Sequence, residues 1–236
     1  MKDFHTHICY GIDDGSKTIE ESITILKEAR ASGITDVFLT PHYIEDSKFS
    51  TNNKTKEAIK RDLEKKLKEE NIDINLYLGN EVFINENIIK LLKKQEIAPI
   101  NNTKYILIEL TMFQEFPQTK QILFDLITKD YIPVIAHPER YTYIDSKLEY
   151  IKELRKMGCL FQGNYQSLFG KYGRGAKKML KQMLKEDLID FLGSDIHHKE
   201  DLNLNKLPKK LKRIVKTDEK VFELLEGNVD KYIFNK

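Results

Sequence analysis

Seven short apolar segments alternate with helical patterns along this chain, and six of them lead into a histidine, an aspartate or a glutamate. Short apolar strands that alternate with helices are typical of a parallel sheet, because parallel neighbours need a crossover between them. We predict strands over the segment before His5 and over 35–40, 75–80, 105–108, 132–136, 160–164 and 189–193. We predict helices over about 18–32, 54–70, 85–95, 118–129 and 146–157, from the 169–175 loop to about 186, and near 218–227.

Seven strand–helix units in 236 residues favour a closed or nearly closed α/β barrel over a chain of two domains. Residues 1–236 are therefore expected to form a single domain. The carboxyl ends of the strands form the active face of such barrels, and the polar residues fall there. An open doubly wound sheet is the alternative fold, but it would gather functional residues only around its switch point.

The polar residues at these strand ends are mostly histidines and carboxylates. His5 and His7 flank one residue of extended chain, so their imidazoles point to the same side. All six histidines lie in short motifs at the ends of apolar runs, which scattered surface histidines would not do. Asp13 and Asp14 project from a turn between two glycines. The candidate metal ligands are His5, His7, Asp14, His42, Glu81, Glu109, His137, Asp195 and His197.

Five imidazoles and four carboxylates are too many ligands for one tetrahedral zinc. They suit two or three cations that share bridging carboxylates. Imidazole and oxygen ligands without thiolates favour manganese, iron or zinc over calcium.

Composition argues against several other classes of protein. A net charge of +2 gives no overall field for nucleic acid, no basic stripe is evident, and no apolar stretch has transmembrane length. The N-terminus lacks the features of a signal peptide, so we expect a cytoplasmic protein without direct membrane insertion. Cys9 and Cys159 are interpreted as small buried hydrophobic residues. Neither is followed six residues later by an arginine, which excludes a phosphatase with a nucleophilic cysteine.

Five motifs together resemble the polymerase-and-histidinol-phosphatase (PHP) superfamily. They are His5-Thr6-His7, Thr40-Pro41-His42, Gly79-Asn80-Glu81, His137-Pro138 and Gly193-Ser194-Asp195-Ile196-His197. Within that superfamily, segments 11–15 and 136–141 closely resemble the bacterial capsule-locus tyrosine phosphatases of the CpsB/YwqE type. The resemblance runs from residue 1 to about 200. Its one departure is Tyr43, where many relatives carry a second histidine that is not a ligand.

The resemblance implies a distorted seven-stranded (β/α)7 barrel of the TIM-like PHP fold. It also implies three manganese-like metal ions and hydrolysis of phosphotyrosine, on a bacterial tyrosine autokinase that controls capsular or exopolysaccharide synthesis. One ion would be held by His5, His7, Glu81 and Asp195. Glu81 would bridge to a second ion held by Glu109 and His137, and a third would be held by Asp14, His42 and His197. Three divalent cations and four carboxylates leave about two positive charges, which suits a phosphate monoester dianion.

Arg140 follows His137 on the same loop, and its planar guanidinium can bind phosphate through two hydrogen bonds. We interpret Arg140 as a catalytic and substrate-binding residue. It would hold the phosphoryl oxygens while a metal-activated hydroxide attacks phosphorus in line. Asp13 and His198 are interpreted as groups beside the ligands or facing solvent. The loop of Lys171 and Arg174 is interpreted as solvated, with contact to the substrate as the alternative.

Other functions stay open on the sequence alone. A small-molecule phosphatase of the same fold, such as a histidinol-phosphate phosphatase, would need a closed pocket, whereas a peptide substrate needs an open face. A non-catalytic, metal-stabilised interaction module would be expected to have lost some ligands. A nuclease or proofreading domain is disfavoured because no basic stripe is evident.

Overall fold

Nine strands form two parallel sheets in the part of the chain described by the computed structural model, residues 1–199 and 204–235. One sheet has three strands in the order β1-β2-β4, and the other has six in the order β3-β5-β6-β7-β8-β9. The strands are β1 (Lys2–Thr6), β2 (Asp36–Leu39), β3 (His42–Tyr43), β4 (Asn75–Leu78), β5 (Glu81–Phe83), β6 (Tyr105–Glu109), β7 (Ile132–Ala136), β8 (Leu160–Asn164) and β9 (Phe191–Gly193).

Two of the predicted strands break and continue into the second sheet. Thr40 and Pro41 separate β2 from β3, because proline has no N–H to donate to a ladder. Gly79 and Asn80 separate β4 from β5, although neither is a proline. The predicted parallel α/β architecture is confirmed, but the count of seven strands in one barrel sheet is not. After these breaks β3 pairs with β5, which places two candidate metal ligands, His42 and Glu81, directly beside each other.

The two sheets meet where β1 passes the chain that follows β9. The N–H of Asp195 donates to the carbonyl of His5 (2.8 Å), and the N–H of His7 donates to the carbonyl of Ile196 (2.9 Å). Gly193 makes this approach possible, because a Cβ there would lie 2.6 Å from the Cβ of His5. The first and last strand ends of the sequence therefore share one region of the surface.

Ten helices surround the strands in the described residues. They are α1 (Ile19–Ala31), α2 (Asn53–Glu69), α3 (Ile88–Lys93), α4 (Thr119–Ile127), α5 (Glu149–Met157), α6 (Tyr165–Phe169), α7 (Gly173–Lys185), α8 (Leu207–Val215), α9 (Asp218–Phe222) and α10 (Asn228–Tyr232). A π-helical turn, Glu223–Gly227, joins α9 to α10, so the last helical stretch is longer than predicted. None of the described helices is long and apolar enough to cross a membrane.

Two helices were not predicted from the sequence. Helix α6 has only five residues, too few to show a period. Helix α8 lies in the lysine-rich tail, where Leu207, Leu211 and Ile214 form a buried stripe at helical spacing. It packs beside α7, and the two helices together carry nine lysines and arginines and no acidic residue. The expectation that the chain lacks a basic stripe is therefore wrong, because folding brings two separate runs together.

Apolar side chains from both sheets meet beneath the carboxyl ends of the strands. The rings of Phe4 and Phe191 stack with centroids 4.2 Å apart, and Leu107 and Val134 belong to the same buried cluster. Glu109 follows Leu107 by two residues on β6, so it projects from the same face one step nearer the carboxyl end. The cluster thus supports the polar site from below.

Candidate metal centre

Glu81 lies at the middle of a group of imidazoles, and its side chain is fully buried. Its Oε2 atom lies 3.2 Å from Nε2 of both His5 and His7 and 3.0 Å from Nδ1 of His42. Its Oε1 atom lies 2.9 Å from Nε2 of His137. One carboxylate therefore faces four histidines that come from three different parts of the sequence.

The remaining predicted ligands surround this centre. Asp195 Oδ1 lies 3.3 Å from Nε2 of His7, and Glu109 Oε1 lies 3.7 Å from Nε2 of His137. On the open side, Asp14 Oδ1 lies 3.4 Å from Nε2 of His197 and 3.7 Å from Nε2 of His42. All nine candidate ligands thus belong to one connected group at the carboxyl ends of the strands.

The chemistry of this group fits divalent cations. Nε2 of His5 and Nε2 of His7 lie 3.0 Å apart and both face Glu81, a placement that a shared cation explains. Glu81 Oε2 and His42 Nδ1 are buried close together, yet neither has a hydrogen-bond partner within the described chain. Three sets of ligand atoms lie close enough to hold an ion: His7, Asp14, His42 and His197; His5, His7 and Glu81; and His42, Glu81 and Glu109.

The ionisation of these groups reflects the crowding of charge. Burial opposes the charged form of His5, but the carboxylates of Glu81 and Asp195 outweigh it and raise the pKa of His5. Burial would raise the pKa of Glu81, but the surrounding histidines hold it well below its usual range. Burial and the neighbouring Glu81 raise the pKa of Glu109 to about 9. Glu109 is thus short of compensating positive charge, which a cation would supply.

Contacts outside the ligand group orient the two leading histidines. Nδ1 of His5 lies 2.8 Å from Oε1 of Gln162, and Nδ1 of His7 lies 2.8 Å from Oδ2 of Asp13. Such partners leave Nε2 of each ring facing the site. Of the two placements considered for Asp13 and His198, beside the ligands or facing solvent, Asp13 takes the first and His198 the second. Asp13 is buried and contacts His7, whereas His198 is exposed.

Two amides of β8 were missed by the sequence analysis. Gln162 also donates through Nε2 to Asn164 Oδ1 (2.9 Å), and Asn164 Nδ2 donates to Asp195 Oδ2 (2.8 Å). The only signal for them was a pair of polar residues at the end of a strand without a histidine or a carboxylate.

Arg140 lies at the rim of the centre. Its Nη1 atom donates to Asp195 Oδ2 (2.7 Å), and its guanidinium lies 4.5 Å from the ring centroid of Tyr172. The hydroxyl of Tyr172 donates to the same carboxylate oxygen (3.2 Å). Tyr172 was not singled out from the sequence. The arginine is therefore placed beside a predicted ligand, with its side chain about one quarter exposed.

Two of the predicted ligands have left-handed backbone conformations. His137 has a φ angle of 30° and Asp195 one of 55°, values that residues other than glycine adopt rarely. His137 directly follows β7, and Asp195 follows β9 after one intervening residue. In both places the left-handed conformation changes the direction of the chain at the strand end. Backbone strain of this kind is concentrated at functional sites.

A cleft of about 630 Å³ opens beside Arg140. Its walls include Met112, Phe113, Tyr172 and Met179, and the side chain of Phe113 is 82% exposed. The cleft therefore offers an apolar, accessible surface next to the polar centre.

The two cysteines lie away from solvent, as predicted. Both Cys9 and Cys159 are fully buried and free of disulfides, and burial raises the pKa of each thiol to about 12. Neither can supply a thiolate near neutral pH.

Comparison with known proteins gives consistent matches. A family model described as capsular polysaccharide synthesis, CpsB/CapC, matches residues 1–232. A putative tyrosine-protein phosphatase, CapC from Staphylococcus aureus, is 37% identical over 198 residues, which are 84% of this chain and 77% of CapC. A solved structure from work on YwqE of Bacillus subtilis and CpsB of Streptococcus pneumoniae, described as metal-dependent tyrosine phosphatases, superposes with a TM-score of 0.88. That pair is 28% identical and covers 100% of this chain and 95% of the other.

A more distant structure shares the fold. Histidinol phosphate phosphatase from Lactococcus lactis has a TM-score of 0.62 at 16% identity, over 95% of both chains.

Proposed function

This chain belongs to the CpsB/CapC family of capsular polysaccharide synthesis, and from that premise we propose that it is a metal-dependent protein-tyrosine phosphatase. The observation that carries the proposal is the arrangement around Glu81, where four imidazoles meet a buried carboxylate within 3.2 Å. Arg140 and an apolar cleft lie beside this arrangement, as hydrolysis of an aryl phosphate on a polypeptide requires.

We propose that three divalent ions occupy the centre, with manganese as the preferred metal and iron or zinc as alternatives. The first ion would be held by His5, His7, Glu81 and Asp195. The second would be held by Glu81, Glu109 and His137, and the third by Asp14, His42 and His197. The short distances from Glu81 to His5 and His7 on one oxygen, and to His137 on the other, support its role as a bridge.

When bound, the ions supply Lewis-acid charge and lower the pKa of a coordinated water. The residues of the chain supply the geometry. Gln162 and Asp13 fix the ring orientations of His5 and His7 through their Nδ1 atoms. Arg140 stands at the rim, where its guanidinium would bind two phosphoryl oxygens and stabilise the charge that develops on them.

A polypeptide substrate is favoured over a small molecule by the shape of the surface beside Arg140. The cleft is open and apolar, and Phe113 lies on it almost fully exposed. An aromatic side chain carrying a phosphate can pack there while its polypeptide continues into solvent. A histidinol-phosphatase-like function would instead require an enclosed polar pocket for a small amino alcohol.

We further propose that the substrate is a bacterial tyrosine autokinase that controls capsular or exopolysaccharide synthesis, and that the protein acts in the cytoplasm as a single domain. The relatives are named for tyrosine phosphatase activity and for capsule synthesis, which supports this assignment. We also propose that the two sheets form one distorted barrel of seven strand segments, with β2–β3 and β4–β5 each counted once. The contacts between β1 and the residues after β9 support this closure.

The test is a metal and substrate panel on the purified chain. After treatment with a chelator, turnover of a phosphotyrosine peptide should be lost, and Mn²⁺ should restore it. A phosphoserine peptide and histidinol phosphate should be poor substrates. Glu81→Gln should lose both metal and activity, whereas Glu86→Gln, which alters an exposed glutamate, should behave as wild type.

Two results would overturn the proposal. Full activity of the stripped protein in chelator would exclude a metal mechanism. A clear preference for histidinol phosphate would make the protein a small-molecule phosphatase of the same fold.

A further inference from the structure

Helices α7 and α8 together form a strongly basic surface on a protein of nearly neutral charge. Neither helix contains an aspartate or a glutamate, and most of their apolar residues are buried. The chain as a whole has a net charge of only +2, so the excess on this surface is local. We define the basic face as Arg174, Lys177 and Lys181 of α7, Lys210 and Arg213 of α8, and Lys206, the residue before α8.

The cations of the basic face lie close enough to repel one another. Burial, followed by the charges of Lys177, Lys181, Arg213 and Lys206, lowers the pKa of Lys210. Lys210 Nζ lies 4.4 Å from the ring centroid of Phe169 and not beside a carboxylate. No aspartate or glutamate of the described residues pairs with any member of the face.

Some other surface lysines of this chain are paired with carboxylates. Lys120 pairs with Glu153 at 2.9 Å, and Lys152 pairs with Glu186 at 2.9 Å. The basic face differs in that several cations, unpaired within the described part of the chain, lie close together, which leaves a positive potential that favours an anionic ligand.

The basic face is continuous with the candidate active site through α7. The residue before α7 is Tyr172, which contacts both Asp195 and Arg140. Ala176 and Met179 of α7 line the apolar cleft, while Lys177 and Lys181 belong to the basic face. A polypeptide that leaves the cleft across α7 would meet these cations within a few residues.

We propose that the basic face binds an acidic segment of the protein substrate next to the phosphotyrosine in the cleft. This inference rests on the phosphatase function proposed above. An acidic polypeptide is favoured over an anionic membrane because the large hydrophobic residues exposed in the described part of the chain, Phe113, Phe124 and Phe222, all lie outside α7 and α8. Insertion into a lipid surface would require such residues on the face itself.

The attraction acts between exposed charges, so it should assist binding and depend on salt, without altering the chemical step. The test compares two phosphotyrosine peptides, one with Asp and Glu beside the tyrosine and one with Asn and Gln at those positions. The triple variant Lys181→Glu, Lys206→Glu and Arg213→Glu should raise KM for the acidic peptide on the order of tenfold at low salt. Its kcat, and its KM for the neutral peptide, should match wild type.

The matched control reverses the same number of charges elsewhere. Lys65→Glu, Lys68→Glu and Lys90→Glu alter exposed lysines of α2 and α3 and should leave both peptides unaffected. The difference between the two peptides should vanish for wild type in 0.5 M salt, roughly a Debye length of 4 Å. If the triple variant does not fold, the exposed single variants Lys206→Glu and Arg213→Glu should each raise KM for the acidic peptide about twofold.

Three outcomes contradict the inference. Equal KM values for both peptides in wild type, with turnover intact, would exclude a role for the basic face in substrate binding. The proposed phosphatase function would be unaffected by that result. Loss of binding to phosphatidylserine vesicles by the triple variant, with unchanged peptide kinetics, would assign the face to a membrane. Absence of turnover on every phosphotyrosine peptide by the metal-loaded wild type would overturn the proposed function itself.

Discussion

Arg140 and Asp195 form an ion pair in which each carboxylate oxygen has a different task. Nη1 of Arg140 lies 2.7 Å from Oδ2, whereas Oδ1 faces His7 at 3.3 Å. Asn164 and Tyr172 also donate to Oδ2, so the carboxylate is held in place by three groups besides the histidines. The pair links the predicted phosphate-binding residue to a predicted metal ligand.

Arg140→Ala should therefore lower turnover without releasing metal. Asn164 and Tyr172 keep Asp195 oriented, and Oδ1 is untouched. Loss of one charged donor to the phosphoryl oxygens should cost about 2–4 kcal/mol of transition-state stabilisation, or roughly 30- to 1000-fold in kcat. Turnover of a phosphotyrosine peptide and elemental analysis of the same sample measure the two effects. His137→Ala is the contrasting variant, because it should lose metal. Wild-type turnover by Arg140→Ala would show that the ion pair is only structural.

Gln162 should control metal affinity through His5. Gln162→Leu removes the acceptor 2.8 Å from Nδ1 of His5 and frees the ring to rotate. Loss of such a partner weakens metal binding about 10- to 100-fold. A titration of Mn²⁺ against a competing chelator measures the affinity, and Gln162→Glu, which keeps an acceptor oxygen, should retain most of it. An unchanged affinity in Gln162→Leu would mean that packing alone orients His5.

The convergence of the candidate ligands could be predicted from sequence because it follows from the backbone. Each candidate lies in a motif at or near a strand end, and the carboxyl ends of parallel strands converge whatever their side chains are. Gln162 and Asn164 could not be predicted in this way. Neutral amides at a strand end are common, and their roles depend on β8 lying between β7 and β9, a pairing that no local pattern specifies.

The strand segments and most of the helices could also be predicted, but their division between sheets could not. The break between β2 and β3 depends on how Pro41 meets a neighbouring ladder, which is a tertiary property. Helix α8 was hidden because its charged residues outnumber the buried stripe of Leu207, Leu211 and Ile214. The basic face could not be predicted either, because it exists only after α7 and α8 pack against each other.

The cysteines should be dispensable for catalysis. The double variant Cys9→Ala and Cys159→Ala removes two fully buried thiols, so a loss of roughly 1–2 kcal/mol in the free energy of unfolding is expected. Turnover with Mn²⁺ should stay at the wild-type rate. Circular dichroism establishes that the fold is intact, and an inactive but folded double variant would reverse the assignment of chemistry.

Lys56 is a buried lysine that the proposed chemistry does not use. Its side chain is 2% exposed, its Nζ donates to Asn80 Oδ1, and the ring of Tyr43 lies 5.9 Å away. Burial lowers the pKa of Lys56 to about 7, although the nearby Cys9, Glu96 and Glu57 act in the opposite direction. Asn80 in turn donates to the carbonyl of Pro41, so the lysine supports the two strand breaks.

This lysine should make stability depend on pH in a definite direction. In the unfolded chain its pKa is about 10.5, so between pH 7 and 10.5 the unfolded state binds more protons than the folded state. The contribution of Lys56 to the free energy of unfolding should therefore rise with pH across this window, by at most roughly 5 kcal/mol, and should be constant below pH 7. The buried thiols of Cys9 and Cys159 act in the opposite direction above about pH 9, so the difference between wild type and a Lys56 variant isolates the lysine. Lys56→Met should flatten this rise, whereas Lys65→Met, which alters a lysine 78% exposed on the same helix, should keep it. Urea unfolding at pH 7.5, 8.5 and 9.5 measures the change of the unfolding free energy with pH for wild type and for each of the two variants. If wild type and Lys56→Met changed in parallel, Lys56 would be protonated throughout, and its hydrogen bond to Asn80 would have to offset the cost of burying the charge.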